Sequence, residues 1–189
     1  MKDNRKDDGR RELDKLIDSG IRRIRVTWNK LGSFDLRAGP YGKQQLLEQI
    51  YTVYCAWRDG DQAKAISVRL ARRLADQPVD PDVHLLELLI KVALPKIKPN
   101  VVAIWVNAIR CGESHHVRPF KLRGFFHVMG GLVRCARLFA EEERRRKDEE
   151  TIRLEEEERE LEVRQARRQA RRKRNRPSMP VGMATLFGR

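Results

Sequence analysis

The sequence lacks the features that mark several large classes of protein. Its three cysteines, Cys55, Cys111 and Cys135, are odd in number and do not have the spacing of a disulfide framework. Its longest uncharged runs, 99–109 and 177–188, are too short to cross a bilayer as a helix. Six of the first eight residues are charged, and the segment lacks the apolar core of a secretory signal. We therefore expect a soluble intracellular protein without a transmembrane segment: cytoplasmic, nucleoid-associated in a bacterium, or nuclear in a eukaryote.

Catalytic motifs are also missing. The chain has no P-loop, no GxGxxG, no nucleophile elbow and no HExxH. Glu87 and Lys91 stand four residues apart in a predicted helix, so we interpret them as a one-turn ion pair and not as part of a nuclease site. The cysteines and histidines between 111 and 135 do not follow a standard zinc spacing. We therefore expect no enzyme activity, no metal site and no cofactor.

Positive charge is what the chain has in excess. The formal net charge is +14, with 29 arginines and 12 lysines. Charged residues make up 36% of the chain and hydrophobic residues 40%, which indicates a modest core attached to long solvated segments. Such an excess attracts polyanions, among them nucleic acid and anionic membrane.

Helical periodicity dominates residues 43–140. Leu46, Leu47, Ile50, Val53 and Trp57 recur at spacings of three and four residues, which is typical of one apolar helix face. Comparable patterns follow up to residue 140, interrupted by proline and glycine. The sequence therefore predicts a mainly α fold: a compact bundle of about five helices over 43–140, followed by a long charged helix and a basic tail.

A leader over residues 1–42 precedes the predicted bundle. Within it Ile24, Val26 and Trp28 alternate with polar residues, which is the period-two pattern of a half-exposed strand. Turn-forming residues follow at 32–33 and 39–42. We therefore expect a short β-ribbon here.

Residues 141–176 read as a charged helix that ends in an Arg-rich segment. Between 141 and 163 there are twelve acidic and six basic side chains, and six glutamates precede a basic residue by four positions. Each such pair stabilises a helix by about 0.2–0.5 kcal/mol. Ile152, Leu154, Leu161 and Val163 do not sustain a heptad seam, so we favour a self-standing helix over 132–176. A dimeric coiled coil and a disordered segment remain alternatives, and the oligomeric state stays open.

The end of this helix carries the densest positive charge. Residues 164–189 contain nine basic side chains and no acidic one. Guanidinium groups spaced along a helix are suited to contact the phosphates of nucleic acid. The alternatives are an acidic protein, anionic lipid, a nuclear address or a solvated tail. The predicted phosphate contacts are Arg164, Arg167, Arg168, Arg171, Arg172, Lys173, Arg174 and Arg176.

Two predicted helices, 83–94 and 101–110, resemble a helix-turn-helix in their spacing. A recognition helix beginning near residue 100 would present Asn107 and Arg110 to bases or phosphates, with Lys98 in the turn before it. Ordinary antiparallel packing of two helices explains the same pattern.

Apolar residues return in the predicted flexible peptide 177–189. Met183, Leu186 and Phe187 form a candidate docking motif for a protein partner, although a mobile end fits the same residues. Our main hypothesis is a non-enzymatic, nucleic-acid-binding protein, DNA-binding in particular, with a regulatory or accessory role. The alternative is an adaptor whose charged helix spaces this peptide from the bundle.

Overall fold

The chain is folded into helices. A computed structural model describes the backbone of residues 4–31, 40–74 and 84–174, and the side chains of 9–31, 43–74 and 84–169. Within these ranges there is no strand, so the predicted mainly α fold is confirmed. The helices are α1 (Asn4–Lys30), α2 (Pro40–Arg58), α3 (Ala63–Arg73), α4 (Leu85–Ala93), α5 (Pro99–Ser114), α6 (Leu122–Val128) and α7 (Leu132–Arg174), with a short 3-10 turn at Pro119–Lys121.

Helix α1 corrects the prediction of a β-ribbon. The segment 24–28 is helical, because its apolar residues continue a stripe that begins well before them. Leu13, Ile17, Ile21 and Ile24 follow one another at spacings of four, four and three residues, and all are buried in the same core as α2 to α6. A strand would place Val26 on the same buried face as Ile24, but Val26 is 45% exposed. An alternation of five residues was therefore misleading, and α1 is part of the bundle.

Helix α2 lies at the centre of the bundle. It contacts α1, α3, α4, α5 and α6, and its predicted apolar stripe is buried. Close packing against α1 depends on Gly20, because a Cβ there would lie 2.9 Å from Cγ1 of Val53 and closer still to the ring of Trp57. Full burial of each large apolar side chain contributes about 1.5–3 kcal/mol. Burial of this stripe therefore holds α1 and α3 to α6 against α2.

Helix α4 has side-chain caps at both ends. At its beginning, the His84 ring accepts a hydrogen bond at Nδ1 from the backbone N–H of Leu86, at 3.3 Å. At its end, Arg25 of α1 donates to the carbonyl oxygens of Ala93 and Val92, each at 3.0 Å. A cation at the carboxyl end of a helix meets carbonyls that have no partner within the helix. Both ends of this nine-residue helix are thus satisfied.

The predicted ion pair within α4 is confirmed. Nζ of Lys91 lies 2.7 Å from Oε1 of Glu87, one helical turn away. Helix α5 continues through Gly112 and ends at Ser114, four residues beyond the predicted end.

The chain divides into two compact units, Met1–Glu142 and Glu143–Arg189. Helix α7 begins in the first unit, where Cys135, Ala136 and Phe139 are buried. In the second unit its exposed ion pairs include Glu155–Arg159 and Glu160–Arg164, both predicted from the sequence and both at 3.3 Å. Among the described helices, none is both long and apolar enough to span a membrane.

Candidate nucleic-acid interface

Two clefts on the first unit carry several cations each. The first, here called the α1–α4 groove, has a volume of about 720 Å³ and lies between α1, α3 and α4. Its lining includes Arg22, Arg25, Arg73 and Lys91, together with Asp18. The second, here called the basic cleft, has a volume of about 850 Å³ and is lined by residues 115–118, 120–121 and 123–125. Both are large enough to hold part of an anionic ligand.

The cations of the α1–α4 groove are largely used within the fold. Arg25 donates to two carbonyl oxygens at the end of α4. Arg73 pairs with Asp18 at 2.6 Å, and Lys91 is held in the ion pair within α4. Among the four, Arg22 alone has neither an ion pair nor a hydrogen bond to a group that the structure describes. Two of the four cations of the groove are therefore paired with carboxylates, and a third is held by backbone carbonyls.

The basic cleft differs in this respect. Arg118, Lys121 and Arg123 are exposed, and none of them is within ion-pair distance of any described carboxylate. The imidazoles of His115 and His116 add further hydrogen-bonding groups. Unpaired cations around a concave surface reinforce one another's field and attract anions. Of the two clefts, the basic cleft is electrostatically the better anion site.

Phe120 stands among these cations and remains exposed over 63% of its surface. It belongs to the 3-10 turn, which begins at Pro119, where the fixed φ of proline favours the start of a helical turn. Nζ of Lys121 lies 6.0 Å from the centre of the Phe120 ring. By contrast, Phe126 is fully buried in the core. The cleft thus presents the largely exposed ring of Phe120 beside unpaired positive charge, and the half-buried ring of Phe125 also lines it.

The loop that forms the cleft is held by backbone hydrogen bonds. After α5, the N–H of Val117 donates to the carbonyl of Gly112 and the N–H of His116 donates to that of Glu113, both at 2.9 Å. This is the Schellman arrangement, which requires a left-handed residue just past the helix end. His116 occupies that position with φ of 54°, where glycine is the usual residue. The hydroxyl of Tyr51 also donates to the carbonyl of Val117 at 3.0 Å.

The acidic residue nearest the loop in sequence is already neutralised. Oε1 of Glu113 accepts a hydrogen bond from the Tyr54 hydroxyl at 3.0 Å and is also paired with Arg58. Burial, with a further contribution from Glu113, raises the pKa of the Tyr54 phenol well above its usual range. Tyr54 therefore stays protonated and donates, and Glu113 does not compensate the cations of the cleft.

The potential metal ligands of this region do not converge on one site, although Cys111 and Cys135 lie close to each other. Cys111 and Cys135 are buried in the core, whereas His115, His116 and His127 are exposed. Among the described side chains, no group of three or more His, Cys, Asp or Glu residues is placed to hold a metal ion.

The residues predicted for a helix-turn-helix lie on a largely buried helix. Lys98 is exposed at the start of α5, and Asn107 is half-buried. The guanidinium of Arg110 lies over the ring of Phe139, 4.6 Å from its centre. Trp105 and most of the helix around it are in the core. The geometry therefore favours the alternative, ordinary helix packing, over a recognition helix inserted in a groove.

The predicted basic end of the long helix is described in part. Arg164 pairs with Glu160, whereas Arg167 and Arg168 are exposed and make no ion pair with a described carboxylate. The helix backbone continues through Arg171, Arg172, Lys173 and Arg174. Helical periodicity of 100° per residue places positions 164, 167, 168, 171 and 172 within an arc of about 140°. Arg176, Met183, Leu186 and Phe187 lie outside the described residues.

The residues of the basic cleft are not among the phosphate contacts predicted from the sequence. A usable signal was present. Between Glu113 and Glu141 no acidic residue occurs, while five arginines and lysines do: Arg118, Lys121, Arg123, Arg134 and Arg137. An acid-free run of this length inside a folded unit indicates a surface whose charge has no local compensation.

Comparison of the chain with protein families, with curated proteins and with solved structures found no match.

Proposed function

We propose that this protein binds nucleic acid, DNA in particular, as a non-enzymatic regulatory or accessory factor. The observation that carries the proposal is the basic cleft, where Arg118, Lys121 and Arg123 have no carboxylate partner among the described residues. Phosphates would supply the counter-charge that the fold does not. The Arg-rich end of α7 supports the same proposal from the second unit.

Counterion release gives the proposal a quantitative form. Each phosphate neutralised on duplex DNA adds about −0.9 to the slope of log K against log salt. Three cleft cations would therefore contribute about −2.7. Five arginine positions on one face of α7 would contribute up to about −4.5. A salt titration of variants that lack the cleft cations measures the first of these contributions.

The experiment compares two triple variants with equal net charge. Binding to duplex DNA, single-stranded DNA and RNA is measured by fluorescence anisotropy from low to high salt. The cleft variant replaces three unpaired cations by glutamine, and the control replaces three that are ion-paired on the second unit. The cleft variant is Arg118→Gln, Lys121→Gln and Arg123→Gln, and the control is Arg145→Gln, Arg146→Gln and Arg159→Gln.

The cleft variant is expected to bind more weakly and to flatten the salt slope by about 2.7 units, while the control keeps the slope of the parent chain. Equal losses in both variants would mean that net charge alone is responsible, which contradicts a dedicated site. Binding that does not change with salt would contradict the proposal as a whole.

A protein-interaction adaptor is the second candidate. On the second unit Ile152 and Val163 fall on one side of α7, and Leu154 and Leu161 on the other; all four are half-exposed. Two short opposed pairs do not make the single seam of a coiled-coil dimer, but they are apolar surface for other proteins. The adaptor hypothesis predicts a complex with a protein partner that persists after nuclease treatment. The complex should be lost when the chain is truncated at Pro177.

A further inference from the structure

Phosphate binding alone does not explain why the ring of Phe120 is exposed. Phenylalanine gains more than most residues from burial, yet this ring is exposed over 63% of its surface. It cannot hydrogen-bond to phosphate, and the contact with the Lys121 ammonium at 6.0 Å leaves most of the ring exposed. What an aromatic face offers to nucleic acid is stacking with a base.

The loop around the ring is ordered before any ligand arrives. The Schellman hydrogen bonds fix His116 and Val117, and the hydroxyl of Tyr51 holds the carbonyl of Val117. Pro119 restricts the backbone of the turn that carries Phe120. A surface already held in its binding geometry loses little conformational entropy when it binds. The backbone that presents the ring is therefore held in place.

The size of the cleft suits a single strand, and its exposed ring favours a single strand over a duplex. A concave space of about 850 Å³ fits one nucleotide and the phosphates on either side of it. In a duplex each base is stacked on both faces, so a protein ring reaches it only after the stack is opened. In a single strand the base faces are accessible, and stacking on aromatic side chains is the usual mode of recognition.

We propose that the basic cleft binds single-stranded nucleic acid, with one base stacked on Phe120 and the adjoining phosphates held by Arg118, Lys121 and Arg123. This rests on the proposed function and refines it, because it names the strand state that the cleft recognises. DNA and RNA share the chemistry used here, a base face and a phosphate, so both enter the test.

The test measures the full-length chain against four probes: a short labelled thymidine strand, a uridine strand of equal length, the corresponding DNA duplex, and poly-glutamate. Phe120→Ala removes the ring and Phe120→Trp keeps an aromatic surface. Val128→Ala is the matched control, because Val128 is 83% exposed, belongs to the adjoining helix α6 and does not line the cleft. Circular dichroism checks that each variant remains helical.

The expected result is that Phe120→Ala weakens binding of at least one single strand by about 5- to 150-fold, the range that loss of one base–aromatic stack spans. Duplex binding should change by less than about twofold, since electrostatic contacts to phosphates remain. Phe120→Trp should bind at least as tightly as the parent chain, and Val128→Ala should be unchanged.

The other outcomes separate this inference from the proposed function. If salt-dependent binding is observed but Phe120→Ala affects single strand and duplex equally, or neither, the stacking site is wrong while the proposed function stands. If poly-glutamate binds and its affinity depends on Phe120, the cleft is a site for an acidic protein, and the stacking proposal is overturned. If no nucleic acid binds at all, both proposals fail.

Discussion

His116 offers a way to separate the backbone geometry of the cleft from its chemistry. Its φ of 54° lies in the left-handed region that favours glycine, and its side chain is exposed. His116→Ala removes the imidazole but keeps a Cβ, whereas His116→Gly removes both. The two variants therefore lose the same ligand contacts and differ in the conformational cost of one backbone position.

The expected difference follows from two opposing effects. A residue with a Cβ pays about 1–2 kcal/mol in the left-handed conformation. Glycine does not have that cost, but it increases the conformational entropy of the unfolded chain, which lowers the free energy of unfolding by about 0.4–1 kcal/mol relative to alanine. We therefore expect His116→Gly to be more stable than His116→Ala by about 0.5–1 kcal/mol. In a unit of this size, that is a difference of about 1–4 °C in Tm.

Denaturant unfolding followed by tryptophan emission is the suitable assay. Trp57 and Trp105 are buried in the first unit, so their emission reports the unfolding of the bundle. The two variants should also bind nucleic acid equally, because both lack the imidazole. An alanine variant as stable as the glycine variant would refute the assignment of a left-handed residue at the end of α5.

Further predictions concern the core and its pH dependence. Gly20→Ala places a methyl group against Trp57, and we expect a loss of about 1–2 kcal/mol even after the gain in helix propensity, whereas Gly9→Ala, with nothing within 4 Å, should gain up to about 1 kcal/mol. Urea unfolding measures both; a stabilised Gly20→Ala would contradict the packing of α1. Burial, followed by repulsion from a nearby arginine, lowers the pKa of His84. The unfolded chain therefore binds that proton first, so the free energy of unfolding should fall as pH drops below about 6.5. His84→Asn, which keeps a capping side chain without this titration, should flatten the dependence.

Long periodic segments were predictable from the sequence, and short ones were not. The stripe of α2 and the charged pattern of α7 extend over many turns, so local rules identified both helices. The strand assigned to 24–28 depended on five residues, which fit a period of two by chance. The longer stripe from Leu13 to Ile24 carried the correct answer.

The candidate site was harder to predict because pairing between charges is a property of three dimensions. Arg73 and Arg118 look equivalent in the sequence. In the fold, Arg73 meets Asp18, 55 residues earlier in the chain, while Arg118 meets no described carboxylate. The exposure of Phe120 likewise depends on how the 3-10 turn packs, since Phe126 nearby is fully buried and Phe125 is half-buried. Only the acid-free run around these residues was visible in advance.

The cap that Arg25 places on α4 has a consequence for the nascent chain. The carbonyl of Ala93 that it binds lies 68 residues further along, so Arg25 is synthesised well before its acceptor. At about 5–20 residues per second, that interval lasts roughly 3–14 s. During this time the isoleucines of α1 have only α2 and α3 to cover them, and a chaperone that binds apolar helices has its best opportunity then.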